Sequence, residues 1–130
     1  MVNTRQKGNR NERKCEALLK EKGFSTSRMP HTRYGPSDHF SLFDIIAMKP
    51  DAPIKMIQVK SNTPPNLAEF KEECLEVAPL KHAEIEIFTH YDREGFQIRR
   101  LNRVKKEWEI LVDERDNGMK IGEEVKKEYA

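Results

Sequence analysis

The fold is decided by residues 44–60, which read DIIAM (44–48), KPDAP (49–53) and IKMIQVK (54–60). Two short apolar runs flank a turn rich in Pro and Asp, the pattern of a β-hairpin. Side chains alternate along a strand, so Gln58 and Lys60 share one face and Ile57 and Val59 the other. Antiparallel pairing brings the start of the first strand to the end of the second. Asp44, Gln58 and Lys60 therefore converge at one edge of an otherwise apolar sheet.

Working outward, Asn9 or Asn11 is placed to cap a helix that runs to about Lys22 and stops at Gly23. Residues 1–8 ahead of it read as a flexible basic arm. Cys15, Leu18 and Leu19 form the apolar stripe of the helix, and Glu12 falls on the same face at its N-terminal end. A carboxylate there either complements the helix dipole or reaches past the core toward the sheet. Phe24 to Arg28 reads as a short strand. The long polar loop of residues 29–39 follows, with His31 and His39, neither of which has a partner at metal-ligand spacing.

Beyond the hairpin, Asn66 and Glu69 form a capping-box pattern ahead of a helix whose apolar face is Leu67, Phe70, Cys74, Val77 and Ala78. That helix leads to a strand at Ala83 to Thr89, a βαβ crossover in outline. A turn at Tyr91 to Gly95 and a strand at Phe96 to Leu101 make a second hairpin, with Arg99, Arg100 and Arg103 as possible phosphate contacts. A further strand is expected around Trp108 to Val112, and a C-terminal helix around Met119 to Tyr129. The order of elements predicts a mixed α/β sheet flanked by helices, in a single domain spanning residues 1–130.

Composition narrows the function. Charged residues make up 35% of the chain, and the mean hydropathy is −0.85. No apolar run approaches the roughly 18 residues of a membrane span, and no signal-peptide pattern opens the chain, so a cytoplasmic protein is expected. Cys15 and Cys74 lie far apart without zinc-ligand spacing and read as buried thiols. The net charge of +2 is uneven: residues 1–33 carry nine basic and three acidic side chains, net +6, which leaves −4 elsewhere. Arg5, Lys7, Arg10, Arg13 and Arg33 in that first quarter are either a phosphate-binding footprint or a solvated surface.

Lys7-Gly8, Asn11-Glu12-Arg13, Lys22-Gly23-Phe24, Phe43-Asp44-Ile45-Ile46-Ala47 and Gln58-Val59-Lys60-Ser61 occur in that order. Together they resemble the PD-(D/E)XK nuclease superfamily, and within it the small archaeal Holliday junction resolvases, over roughly residues 5–90. The resemblance implies a restriction-endonuclease-like fold, with a mixed central β-sheet flanked by helices. It implies a divalent-metal-dependent DNA endonuclease that hydrolyses phosphodiester bonds and selects branched DNA by structure, acting as a homodimer. Glu12, Asp44, Gln58 and the Val59 carbonyl would hold Mg²⁺, with Mn²⁺ as a substitute, and Lys60 would stabilise the phosphorane's charge. Arg5, Lys7, Arg10, Arg13 and Arg33 would hold the DNA backbone.

The chain departs from the family pattern twice. Phe43 stands where proline is usual, and Gln58 stands where an acid is usual. A glutamine can ligate through its carbonyl oxygen but adds no negative charge, which implies weaker metal binding or recruitment of Asp38. It also keeps an alternative open, a catalytically inactive nuclease fold that binds DNA or a protein partner.

Overall fold

The computed structural model describes residues 4–28 and 42–115, the side chains of residues 4–6 excepted. The element order is α1 (Thr4–Glu21), β1 (Ser25–Arg28), β2 (Ile45–Met48), β3 (Ile54–Ser61), α2 (Leu67–Val77), β4 (Ala83–Tyr91), β5 (Gly95–Leu101) and β6 (Trp108–Asp113). The six strands form one sheet in the order β1-β2-β3-β4-β5-β6. Only β3 and β4 run parallel, and α2 makes the crossover between them. The expected mixed sheet flanked by helices is what forms.

The hairpin of residues 44–60 pairs Ile45 with Ile57 and Ala47 with Lys55. Alternation then sorts the apolar side chains into two cores. Ile45, Ala47, Ile57 and Phe88 pack with Cys15 and Leu19 of α1 on one face. Phe43, Ile85, Ile87 and Leu101 pack with Phe70 and Cys74 of α2 on the other. Phe43, fully buried, sets its ring edge-on to Phe70 at 6.1 Å and so anchors the chain entering β2 to the α2 side.

The caps are local chemistry. Asn66 Oδ1 accepts the Glu69 N–H at 3.1 Å at the start of α2, as its sequence pattern predicts. Gly23, with φ +91°, ends α1; its N–H donates to the Lys20 carbonyl and the Phe24 N–H to that of Leu19, both at 3.0 Å.

The start of α1 is a correction. Helix begins at Thr4, not at Asn9 or Asn11, so residues 4–8 are helical and not part of an arm. Asn11 is buried within the helix, only 2% exposed, with its side chain spent on the sheet and not on a cap. Lys7, Asn11 and Cys15 stand at successive four-residue steps, and that extra turn lays more of α1 along β3. The loop of residues 29–39, including Arg33, Asp38, His31 and His39, and the C-terminal helix expected at Met119 to Tyr129 lie outside the described residues, as does the Arg5 side chain.

A buried ion network lies on the α1 face. Lys55 Nζ donates to Glu86 Oε2 at 2.9 Å and to Glu84 Oε2 at 3.1 Å. Arg100 reaches the same Glu86 oxygen at 2.7 Å through Nη2 and at 2.9 Å through Nε. This assigns Arg100 to the fold, not to phosphate. Burial alone would lower the Lys55 pKa, but the Glu86 and Glu84 carboxylates outweigh it and the pKa rises. Lys55 is 2% exposed and Glu86 fully buried, so removing either partner strands a charge. Glu86→Ala is expected to lower the unfolding free energy by about 3–5 kcal/mol, and a loss below about 1 kcal/mol in urea unfolding would show the network to be slack.

Both cysteines are buried. Burial pushes the Cys15 thiol well up, and the carboxylates of Glu86, Glu16, Asp44 and Glu12 add to it. Burial, with Glu73 adding, pushes Cys74 up to about 12. Thiolate is the reactive form. Neither cysteine should label with a thiol reagent in the native protein at neutral pH; fast labelling of either would contradict this.

Candidate active site

Asp44 sits in the bend before β2, clipped to β3 by two hydrogen bonds. Its N–H donates to the Ile57 carbonyl at 2.8 Å. Its Oδ2 accepts the Val59 N–H, also at 2.8 Å. The carboxylate is thereby held beside the backbone of Gln58, at the end of the hairpin where Lys60 emerges. Val59 gives its N–H to Asp44, so its amide belongs to the same arrangement.

Gln58 is half-buried, and its Oε1 is buried with no hydrogen-bond partner. An unsatisfied buried acceptor costs about 1–3 kcal/mol, a penalty any group that coordinates it would relieve. Lys60, one step further on the same face, is exposed and makes no ion pair among the described residues. Its ammonium is available to an anion.

Glu12 comes from α1 and is 4% exposed. With α1 starting at Thr4, Glu12 lies more than two turns into the helix. The dipole effect fades within the first turn, so complementing the dipole no longer accounts for it. Burial raises the Cys15 thiol's pKa, and Asp44 and Glu12 are among the carboxylates that add to it. One residue earlier, Asn11 Nδ2 donates to Ser61 Oγ at 2.6 Å and ties the helix to the end of β3.

These residues fit a hard divalent cation. A carboxylate beside β3, the partnerless amide oxygen of Gln58 on that strand and the buried Glu12 carboxylate are oxygen donors of the kind such ions take. The amide makes the set poor in charge. Among the described residues, no three His, Cys, Asp or Glu side chains gather as a metal-holding group.

Of the residues expected to hold DNA, Arg10 and Arg13 are exposed on α1, while Lys7 is paired with Asp92 at the β4–β5 turn. Lys7, Arg10, Asn11, Lys14, His90, Asp92 and Arg93 line a cleft of about 280 Å³ between α1 and that turn. Sequence reasoning missed Asn11 as a helix-to-sheet tie, and with it Lys14, Ser61, Asn62, His90 and Asp92. The signal for Asn11 was its spacing, four residues before Cys15 and eight before Leu19, on the buried stripe. Lys14 and His90 are 76 residues apart, and no local pattern announces their contact.

No curated protein matches the chain. Among solved structures, Archaeoglobus fulgidus Hjc, a Holliday junction resolvase from an archaeal hyperthermophile, matches with a TM-score of 0.56. The match has 24% identity and covers 82% of this chain and 88% of that one, a likeness that establishes the fold. The family described as archaeal Holliday junction resolvase (Hjc) matches residues 3–128. With that match spanning nearly the whole sequence, the chain belongs to the archaeal Holliday junction resolvase family.

Proposed function

We propose that this protein is a divalent-metal-dependent endonuclease that cuts branched DNA, with its site at Asp44, Gln58, Lys60 and Glu12. Family membership supports the reaction class and the structure-selective substrate. The observation that supports the site is the clip of Asp44 onto the Val59 N–H at 2.8 Å, which holds a carboxylate at the β3 backbone one residue from Gln58, whose Oε1 is buried without a partner. Mg²⁺, or Mn²⁺ in its place, would be held by Asp44, Gln58 Oε1, Glu12 and the Val59 carbonyl, and would supply phosphate polarisation and a more acidic water.

The chain's own residues supply the rest. The exposed Lys60 ammonium lies toward the approaching phosphate and offsets the charge that gathers on its oxygens as the nucleophile adds. Asp44 is held by two backbone hydrogen bonds, so its oxygens are oriented before substrate arrives. Arg10 and Arg13 contact backbone phosphates, which position DNA without reading its sequence. Resolving a four-way junction requires paired nicks related by a twofold axis, so the acting form is a homodimer. No helix among the described residues is long and apolar enough to cross a membrane, which accords with a cytoplasmic enzyme.

Gln58 favours one other reading, a nuclease fold that binds DNA without cutting it. A cleavage assay on four-way junctions, flaps, single strands and duplex in Mg²⁺ and Mn²⁺ separates the two. Symmetric paired nicks on the junction are expected, with none from Asp44→Ala. Lys60→Ala should slow cleavage by about 10²–10³-fold, the usual effect of deleting one charge-stabilising group. Binding without cutting, in either metal, would leave the binding module.

Gln58→Glu tests the amide itself. The added carboxylate should lower the Mg²⁺ concentration for half-maximal cleavage while destabilising the metal-free protein through repulsion with Asp44. An unchanged Mg²⁺ dependence would place Gln58 outside the metal's reach.

A further inference from the structure

The cleft between α1 and the β4–β5 turn is a built site without a known occupant. Lys7, Arg10, Lys14 and Arg93 bring four cations to it, and Asp92 is the one carboxylate among its lining side chains. Arg10 and Arg93 make no ion pair among the described residues. His90 lines the cleft at 8% exposure, with its Nδ1 buried and without a hydrogen-bond partner.

The tautomer follows from its neighbour. Lys14 Nζ lies 3.4 Å from His90 Nε2, and an ammonium can only donate, so Nε2 accepts and the ring proton sits on Nδ1. Burial, aided by the Lys14 charge, keeps the imidazole pKa below its usual value, against the pull of Asp92 and Glu114. The cleft therefore holds an excess of positive charge, and the ring that lines it carries a buried Nδ1–H without an acceptor.

Asp92 answers part of that demand. Its Oδ2 takes Lys7 Nζ and, at 3.1 Å, Asn62 Nδ2, while its backbone N–H donates to Asn62 Oδ1 at 3.0 Å. Asn62 follows Lys60 by two residues, so the turn is hooked to the strand that carries the proposed site.

We propose that this cleft is a phosphate pocket for a DNA backbone phosphate beside the one being cut, and that Asp92 stands in for that phosphate in the free protein. A phosphate oxygen offers acceptors to Lys14, Arg10 and Arg93, and frees Lys7 from Asp92 to join them. The intramolecular carboxylate competes with the ligand by holding Lys7, so the pocket binds more weakly than its cations alone would. The DNA ligand rests on the nuclease reading; the anion-binding property does not.

The test uses the full chain without metal. Inorganic phosphate is titrated against chloride at constant ionic strength while the ring signals of His90 are followed by NMR. Those signals should shift and saturate with phosphate and not with chloride. Asp92→Asn should move the midpoint to lower phosphate, and Lys14→Ala should move it several-fold higher. Both side chains are exposed, so neither substitution opens the core.

A His90 response absent from the wild-type protein, or unaltered by Lys14→Ala, would overturn the pocket. In a second arm, the full chain binds a four-way junction lacking terminal phosphates, again without metal. Lys14→Ala should reduce the slope of log affinity against log salt by about 1, as the loss of one phosphate contact does. An unchanged slope would show that no backbone phosphate enters the pocket. Neither arm involves cleavage, so a loss of the nuclease reading and a failure of the pocket are distinguishable.

Discussion

The register of β3 is the constraint on which the rest of the structure depends. The strand is bonded along both edges, antiparallel to β2 and parallel to β4. Lys55, Ile57, Val59 and Ser61 therefore face α1, while Met56, Gln58 and Lys60 face the α2 side. A slip of one residue would exchange the two sets and drive Ile57 out of its core. Lys55 guards against that slip. It is buried among Glu84 and Glu86, and any other register would strand an ammonium in apolar surroundings or leave Glu86 with Arg100 alone. A costly buried charge thus acts here as a pin for pairing.

The same register assembles the candidate site. Asp44 reaches β3 only because Ile45 pairs with Ile57, which places the preceding bend opposite Gln58 and Val59. Helix α1 is set by contacts one layer away: Cys15 and Leu19 fill the core under it, and Asn11 reaches Ser61 at the strand's end. Core packing and site geometry are therefore consequences of one pairing pattern. A strand on which candidate-site and core side chains alternate cannot change either set independently.

What the sequence made legible was whatever depends on local rules. The hairpin followed from two apolar runs around a Pro/Asp turn, α2 from Asn66 and Glu69, and the crossover from the order of elements. The start of α1 was not legible, because Asn11 looks like a cap whether its amide turns back to the helix or across to Ser61. Only the tertiary partner decides. Phe43 stood out in the sequence only as a departure from the family's proline, and its contact with Phe70 makes it a core anchor. Lys7 was read as a phosphate ligand, and its pairing with Asp92 joins residues 85 positions apart, beyond any periodicity. Propensity and patterning see a few turns of chain; charge pairing between distant elements needs the fold first.

Gln58 connects these observations. Burial raises the Cys15 thiol's pKa, and Glu86, Glu16, Asp44 and Glu12 add to it, so several carboxylates are felt at that point of the α1 core. Like charges in a partly dehydrated place repel more strongly than in water. An acid at position 58 would instead repel the Asp44 carboxylate held at the β3 backbone, whereas an amide of the same shape keeps an oxygen there without the charge. The exchange trades cation affinity for a less strained metal-free state. It also leaves the candidate site less negative. Lys60 and the basic cleft at the β4–β5 turn bring positive charge near the same strand, the first at the end of β3 and the second tied to it through Asn62.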